Sequence, residues 1–141
     1  MDSYATKTTT RSPLMDVTFA WRSTAFVLLL VAVLGFVLNL LGDGNQLSFG
    51  NTFLTFTWTH DVLHLVLAGA AFLFGFSNLP HSAVRWAAVL FGVVYAGLGV
   101  VGFFALQAPS DALLALTPTL NIIHLLLGGF YLLTGIASKT A

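Results

Sequence analysis

The chain has 141 residues, 57% of them hydrophobic and only 7% charged, with a mean hydropathy of +0.93. A water-soluble domain carries about 25% charged residues, so this composition excludes a fully solvated surface and calls for lipid as the main solvent. A formal net charge of zero leaves no electrostatic footprint for nucleic acid, and the absence of cysteine excludes disulfides, thiolate metal sites, thiol catalysis and covalent haem attachment.

The length suits one domain. Residues 1 to about 20 form a polar tail rich in Ser, Thr and charge. Four apolar runs follow, each near the roughly 20 residues needed to cross the hydrocarbon: 24–41, 60–79, 84–106 and 118–137. The expected fold class is therefore an all-α membrane protein, with a four-helix transmembrane domain over 21–138 and a short tail at 139–141. The first run is longer than a signal-peptide core, and Leu41-Gly42-Asp43-Gly44 offers no small-x-small cleavage site, so it is expected to be retained. Trp21 and Arg22 are expected at the inner interface, and Trp58 and Trp86 at the ends of spans two and three. The connection 42–59, with three glycines, is the longest and a candidate for a small extracellular structure. Pro80 should end span two, Ser82 can cap span three, and Thr117-Pro118 reads as an N-cap followed by proline at the first helical position.

Charge orients the chain. The five basic residues are Lys7, Arg11, Arg22, Arg85 and Lys139, whereas the first and third connections, with the start of span two, hold only Asp43, Asp61 and Asp111. Basic segments stay on the cytoplasmic side, which places both termini and the second connection inside. A membrane β-barrel is excluded, because four strands cannot close and the runs do not alternate.

An internal repeat runs through the spans. Asp61-Val-Leu-His64 with Ala68 and Gly69 matches Asn121-Ile-Ile-His124 with Gly128 and Gly129 at an offset of 60. Spans one and three match more weakly, Ala32, Gly35 and Phe36 aligning with Gly99, Gly102 and Phe103 at an offset of 67. Two tandem two-helix repeats are expected, related by a pseudo-two-fold axis along the membrane normal. The residues Asp61, His64, Ala68, Ala71, Gly75 and Asn78 recur every three or four positions. So do Asn121, His124, Gly128, Tyr131, Gly135 and Ser138. Each set marks one helix face, and these stripes are expected to form a packing seam between spans two and four or toward the bundle centre.

Four short spans, the duplicated (Asp/Asn)-x-x-His-Leu-x-x-x-Gly motif and Val-Val-Gly-Phe at 100–103 resemble a bacterial and archaeal family of small four-helix membrane proteins, a domain of unknown function. The resemblance covers roughly residues 20–138. It implies the four-helix fold and a prokaryotic inner membrane, and it implies no activity. Asp61 departs from the pattern by placing a carboxylate where the family pattern suggests an amide.

Ionisable residues inside spans raise a functional question by default. Three readings of His64 and His124 compete. In the first they are structural, bonding between helices while Asp61 and Asn121 satisfy free helix N–H groups. In the second each supplies an axial ligand to a b-type haem, although no Lys or Arg in the outer connections could meet the propionates. In the third His60, Asp61, His64 and His124 form a metal or proton site, His60 and His64 having the i, i+4 spacing of paired ligands. Ala88, Gly92 and Ala96 form a small-xxx-small line for another helix or chain. Gly97-x-Gly99-x-x-Gly102 matches a dinucleotide fingerprint in letters only, since no strand precedes it. No catalytic signature is present. The expectation is a non-enzymatic membrane protein, without a resident cofactor, that associates with lipid and with itself or a larger membrane complex.

Overall fold

A computed structural model describes residues 16–42, 46–49, 52–104 and 116–138. Four helices dominate it: α1 (Val17–Leu41), α2 (Trp58–Phe76), α3 (His81–Phe104) and α4 (Pro118–Ala137). All four are long and apolar enough to cross a bilayer. Their outward faces carry Leu30, Val66, Leu90 and Leu126, each exposed as a lipid-facing side chain should be. Between α1 and α2 lies a two-stranded antiparallel hairpin, β1 (Gln46–Phe49) and β2 (Thr52–Thr55), with Phe49 opposite Thr52. The small structured element expected in the first connection is thus a β-hairpin, and the remaining elements among the described residues are helices.

Local chemistry sets the helix ends. Asp16 caps α1, its carboxylate accepting from the Thr18 N–H at 2.8 Å, so the helix starts seven residues before the hydropathy boundary at 24 and includes the end of the expected polar tail. It stops at Gly42, whose φ of 74° is the left-handed conformation that glycine adopts without a Cβ penalty. Thr57 and Thr117 cap α2 and α4, accepting from the N–H groups of His60 and Leu120. Pro118 stands at the start of α4 as expected. Helix α2 ends at Phe76 rather than 79, because the residue before Pro80 is biased out of the helical region. Ser82 does not cap α3: it lies in the first turn, and the Pro80 carbonyl accepts from Ala83 and Val84 instead. The far end of span three, Leu106, and the residues Ser3, Lys7, Arg11, Asp43, Asp111 and Lys139 lie outside the described residues.

Helix α1 packs along α2, and α3 along α4, with lighter contact between the two pairs. Both stripes are buried, Asn78 apart. Asp61, Gly75, Asn121, Gly128 and Gly135 meet the preceding helix, while His64 and His124 line the space between the two pairs. Glycine makes the approach possible. A Cβ at Gly35 would overlap the Asp61 carboxylate, and one at Gly102 would overlap the Asn121 amide. A Cβ at Gly128 would stand 2.8 Å from Ala96 Cα, and one at Gly75 3.0 Å from Arg22 N. The line Ala88, Gly92 and Ala96 is likewise used within the chain, where Gly92 backs onto the Gly128 carbonyl. Without a hydrophobic drive between helices in lipid, such close backbone contact is what holds neighbouring spans together.

At the other end of each pair an arginine closes a helix terminus. Arg22 Nε donates to the Gly75 carbonyl at 2.7 Å, and Arg85 Nε to the Gly135 carbonyl at 2.8 Å. Both carbonyls belong to the last turn of their helix, where acceptors lack an intrahelical partner. The guanidinium groups then lie over Phe76 and Trp86, an arrangement suited to an interface.

Trp21 departs from its expected place. It is 2% exposed and sits in the core, its Nε1 donating to the Val84 carbonyl at 3.1 Å. Phe74, Phe91 and Tyr131 surround it with ring centroids at 5.0, 5.3 and 4.7 Å. Tyr131 is fully buried and donates its hydroxyl to the Ala20 carbonyl at 3.3 Å. These contacts tie α1 to α3 and α4. Trp58 and Trp86 remain half or more exposed, as an aromatic belt requires.

Candidate functional site

The Thr57 and Thr117 caps start α2 and α4 at the same end of the bundle, and the histidines follow within two turns. His60 and His64 lie one turn apart on α2, their rings 4.4 Å between centroids. His124 of α4 approaches His60 at 6.2 Å. The Tyr95 ring of α3 stands edge-on to His124 at 5.3 Å. All three histidines are at least nine-tenths buried, and the Nδ1 of each is buried with no hydrogen-bond partner. A buried imidazole nitrogen left unpaired costs about 1–3 kcal/mol, so three together are an expensive arrangement to keep for packing alone.

His60 is the residue that periodicity misplaced. It falls off the stripe and reads as interfacial, yet it is 5% exposed and neighbours both other rings. The i, i+4 spacing of His60 and His64 was the signal that pointed to it.

Asp61 belongs to a different environment. Its side chain turns to α1, where Oδ2 accepts from Asn39 Nδ2 at 2.6 Å above Gly35. Asn39 Nδ2 also donates to the Gly35 carbonyl at 3.0 Å. Asn121 takes the corresponding place over Gly102, with an amide in place of the acid. Of the candidate ligands His60, Asp61, His64 and His124, the structure therefore gathers the three imidazoles and sends the carboxylate elsewhere. Among the described residues no group of His, Asp or Glu is arranged to hold a metal ion.

The imidazoles close one end of a cavity of about 480 Å³. It runs between α2 and α3, the two neighbouring helices that touch least. Leu67, Ala70 and Phe74 line it from α2, Ala87, Phe91 and Tyr95 from α3, and Trp21 from α1. From His60 to Phe74 the α2 wall extends about 21 Å at 1.5 Å per residue, so the space is a slot rather than a chamber. Val66, Leu90 and Val94 line it and are also exposed on the outside of the helices, so the slot opens sideways between α2 and α3. Its polar groups are concentrated at the histidine end, and its long walls are aliphatic and aromatic.

Asp61, His64, Ala68, Ala71, Gly75, Asn121, His124, Gly128, Tyr131 and Gly135, the residues assigned to the seam, are all buried. They divide by task. Asp61, Gly75, Asn121, Gly128 and Gly135 meet the preceding helix, while His64 and His124 turn to the slot. Comparison with family models, with curated proteins and with solved structures found no match for the chain.

Proposed function

We propose that this multi-pass membrane protein is a non-enzymatic binding module that holds a lipid-soluble small molecule between its two helix pairs. The observation that carries the reading is the slot. Three buried histidines, each with an unpaired Nδ1, border one end of an almost wholly apolar space that opens sideways between α2 and α3. Ligand sites are commonly of this kind, mostly apolar with a few convergent polar groups. Extraction of the purified protein and mass spectrometry test it. The parent should retain, besides phospholipid, about one equivalent of a neutral lipid-soluble compound, as a single site demands. The variant Ala70→Phe, which fills the slot, should lose it. Equal retention by both, or none by the parent, ends the reading.

Several finer features belong to the same proposal. The two pairs are tandem repeats related by a pseudo-two-fold axis along the membrane normal, a reading supported by the parallel contacts Gly35–Asp61 and Gly102–Asn121. Both termini lie on the cytoplasmic side, a reading supported by the placement of the basic residues, and the family resemblance adds a prokaryotic inner membrane. Cysteines placed at Ser3 and Asn45 check the orientation. An impermeant thiol reagent applied to intact cells should label only the second, and the reverse pattern would invert the topology. Association with itself or a larger membrane complex is a second reading, supported by Gly69 and Gly97. Both leave open space on outward faces where another helix can come close.

A further inference from the structure

The slot has three properties that narrow its occupant, and this step rests on the binding reading above. The first is position. The slot lies inside helices that span the bilayer and opens through Val66, Leu90 and Val94 to lipid, so the occupant must dissolve in hydrocarbon. Shape is the second. The lining runs along α2 from His60 to Phe74 and is aliphatic and aromatic below the histidines, which suits an apolar chain with a ring at the histidine end. Charge is the third. The outer connections contain no Lys or Arg, and Arg22 and Arg85 are bonded to helix carbonyls at the opposite end. A carboxylate, a phosphate or the propionates of a haem would be buried there without a cation, at a high desolvation cost.

The head of the slot adds a chemical requirement. A neutral imidazole has one donor and one acceptor nitrogen, and the tautomer decides which is which. Three of them, beside the Tyr95 ring, can donate to a carbonyl oxygen or accept from a hydroxyl with no change of charge. The group that needs both is a ring whose oxygens alternate between carbonyl and hydroxyl. We propose that the slot binds a membrane quinone in either oxidation state, its ring oxygens hydrogen-bonded by His60, His64 and His124 and its isoprenoid chain lying along α2 and α3 toward Trp21. The assignment concerns binding and includes no electron transfer by the protein.

Trp21 lines the slot and supplies the reporter. In a Trp58→Phe/Trp86→Phe background it is the sole tryptophan, and quinones quench indole fluorescence on contact. Titration of the detergent-solubilised protein with decylubiquinone should quench it saturably. Removing one hydrogen bond by His64→Leu or His124→Leu should weaken binding about three- to ten-fold, and His124→Gln, which keeps a polar group, should recover part of the loss. Circular dichroism identifies any variant that fails to fold, and Ala70→Phe then serves as the folded control that should abolish saturable quenching. Competition by 1-decanol as effective as that of decylubiquinone would overturn the quinone assignment and leave a general lipid slot. No binding of either would overturn both. A Soret band on haem addition that disappears in His64→Leu would replace the quinone with haem. A dimer by light scattering that shows no quenching would replace it with a second copy of the chain.

Discussion

Gly128→Leu should lower the unfolding midpoint in detergent clearly, with a cost at the upper end of the about 1–3 kcal/mol typical of overpacking. The reason is local. A Cβ at this position stands 2.8 Å from Ala96 Cα and 2.9 Å from Ala96 Cβ, so it meets backbone rather than the movable tip of a side chain. Either α3 and α4 separate along the whole contact or both helices shift. The next residue provides an internal control. Gly129 has nothing within 4 Å of its ideal Cβ, and Gly129→Leu should therefore be nearly neutral. The contrast between adjacent glycines removes composition and helix propensity as explanations, since both variants make the same change in the same turn. Similar midpoints for the two would show that α4 does not press on α3 through Gly128.

Trp21→Ala should be the most damaging single truncation. Large aromatic deletions from packed cores cost about 3–5 kcal/mol in water-soluble proteins. Lipid solvates the unfolded spans and trims the transfer part, leaving the cavity and the lost ring contacts. Those are extensive, because Trp21 touches Phe74, Phe91 and Tyr131 and donates to the Val84 carbonyl. It joins α1 to the other three helices at a level where α2 and α3 barely meet. Trp21→Phe keeps part of the ring contact and should fall between alanine and parent. Trp86→Ala removes a side chain that is 62% exposed and should stay within about 0.5 kcal/mol of the parent, as surface changes usually do. Resistance to chemical denaturation in a fixed detergent ranks the three. A ranking with Trp86→Ala as the most damaging would displace Trp21 from the centre of the fold.

The stripes illustrate how far periodicity reaches. Spacing of three and four placed Asp61, His64, Ala68, Ala71 and Gly75 on one face, and all are buried. What spacing could not supply was the partner. A face has a direction on its own helix, but the helix it meets is decided by how all four pack, and here α1 and α3 carry the glycines that accept Asp61 and Asn121. His60 fell outside the stripe for a related reason. A helix near its cap can be covered on two sides, by its pair and by the neighbouring pair, and a single-face pattern describes only one of them. Trp21 reads as an interfacial anchor in the sequence because Arg22 follows it. Consecutive helical residues point about 100° apart, so the arginine can reach the end of α2 while the indole turns into the core.

The sequence by itself determined that this chain has four segments long and apolar enough to cross a bilayer, and which face of α2 and α4 is buried. Those properties depend on the transfer of apolar side chains and on the fixed period of a helix, both local to each span. Only the tertiary structure decided that α1 pairs with α2 and α3 with α4, that three imidazoles converge, and that a lipid-facing slot lies beneath them. Lipid favours no particular arrangement of apolar faces. The choice passes to close backbone contact and to the few polar groups that must find each other, and neither can be computed one helix at a time.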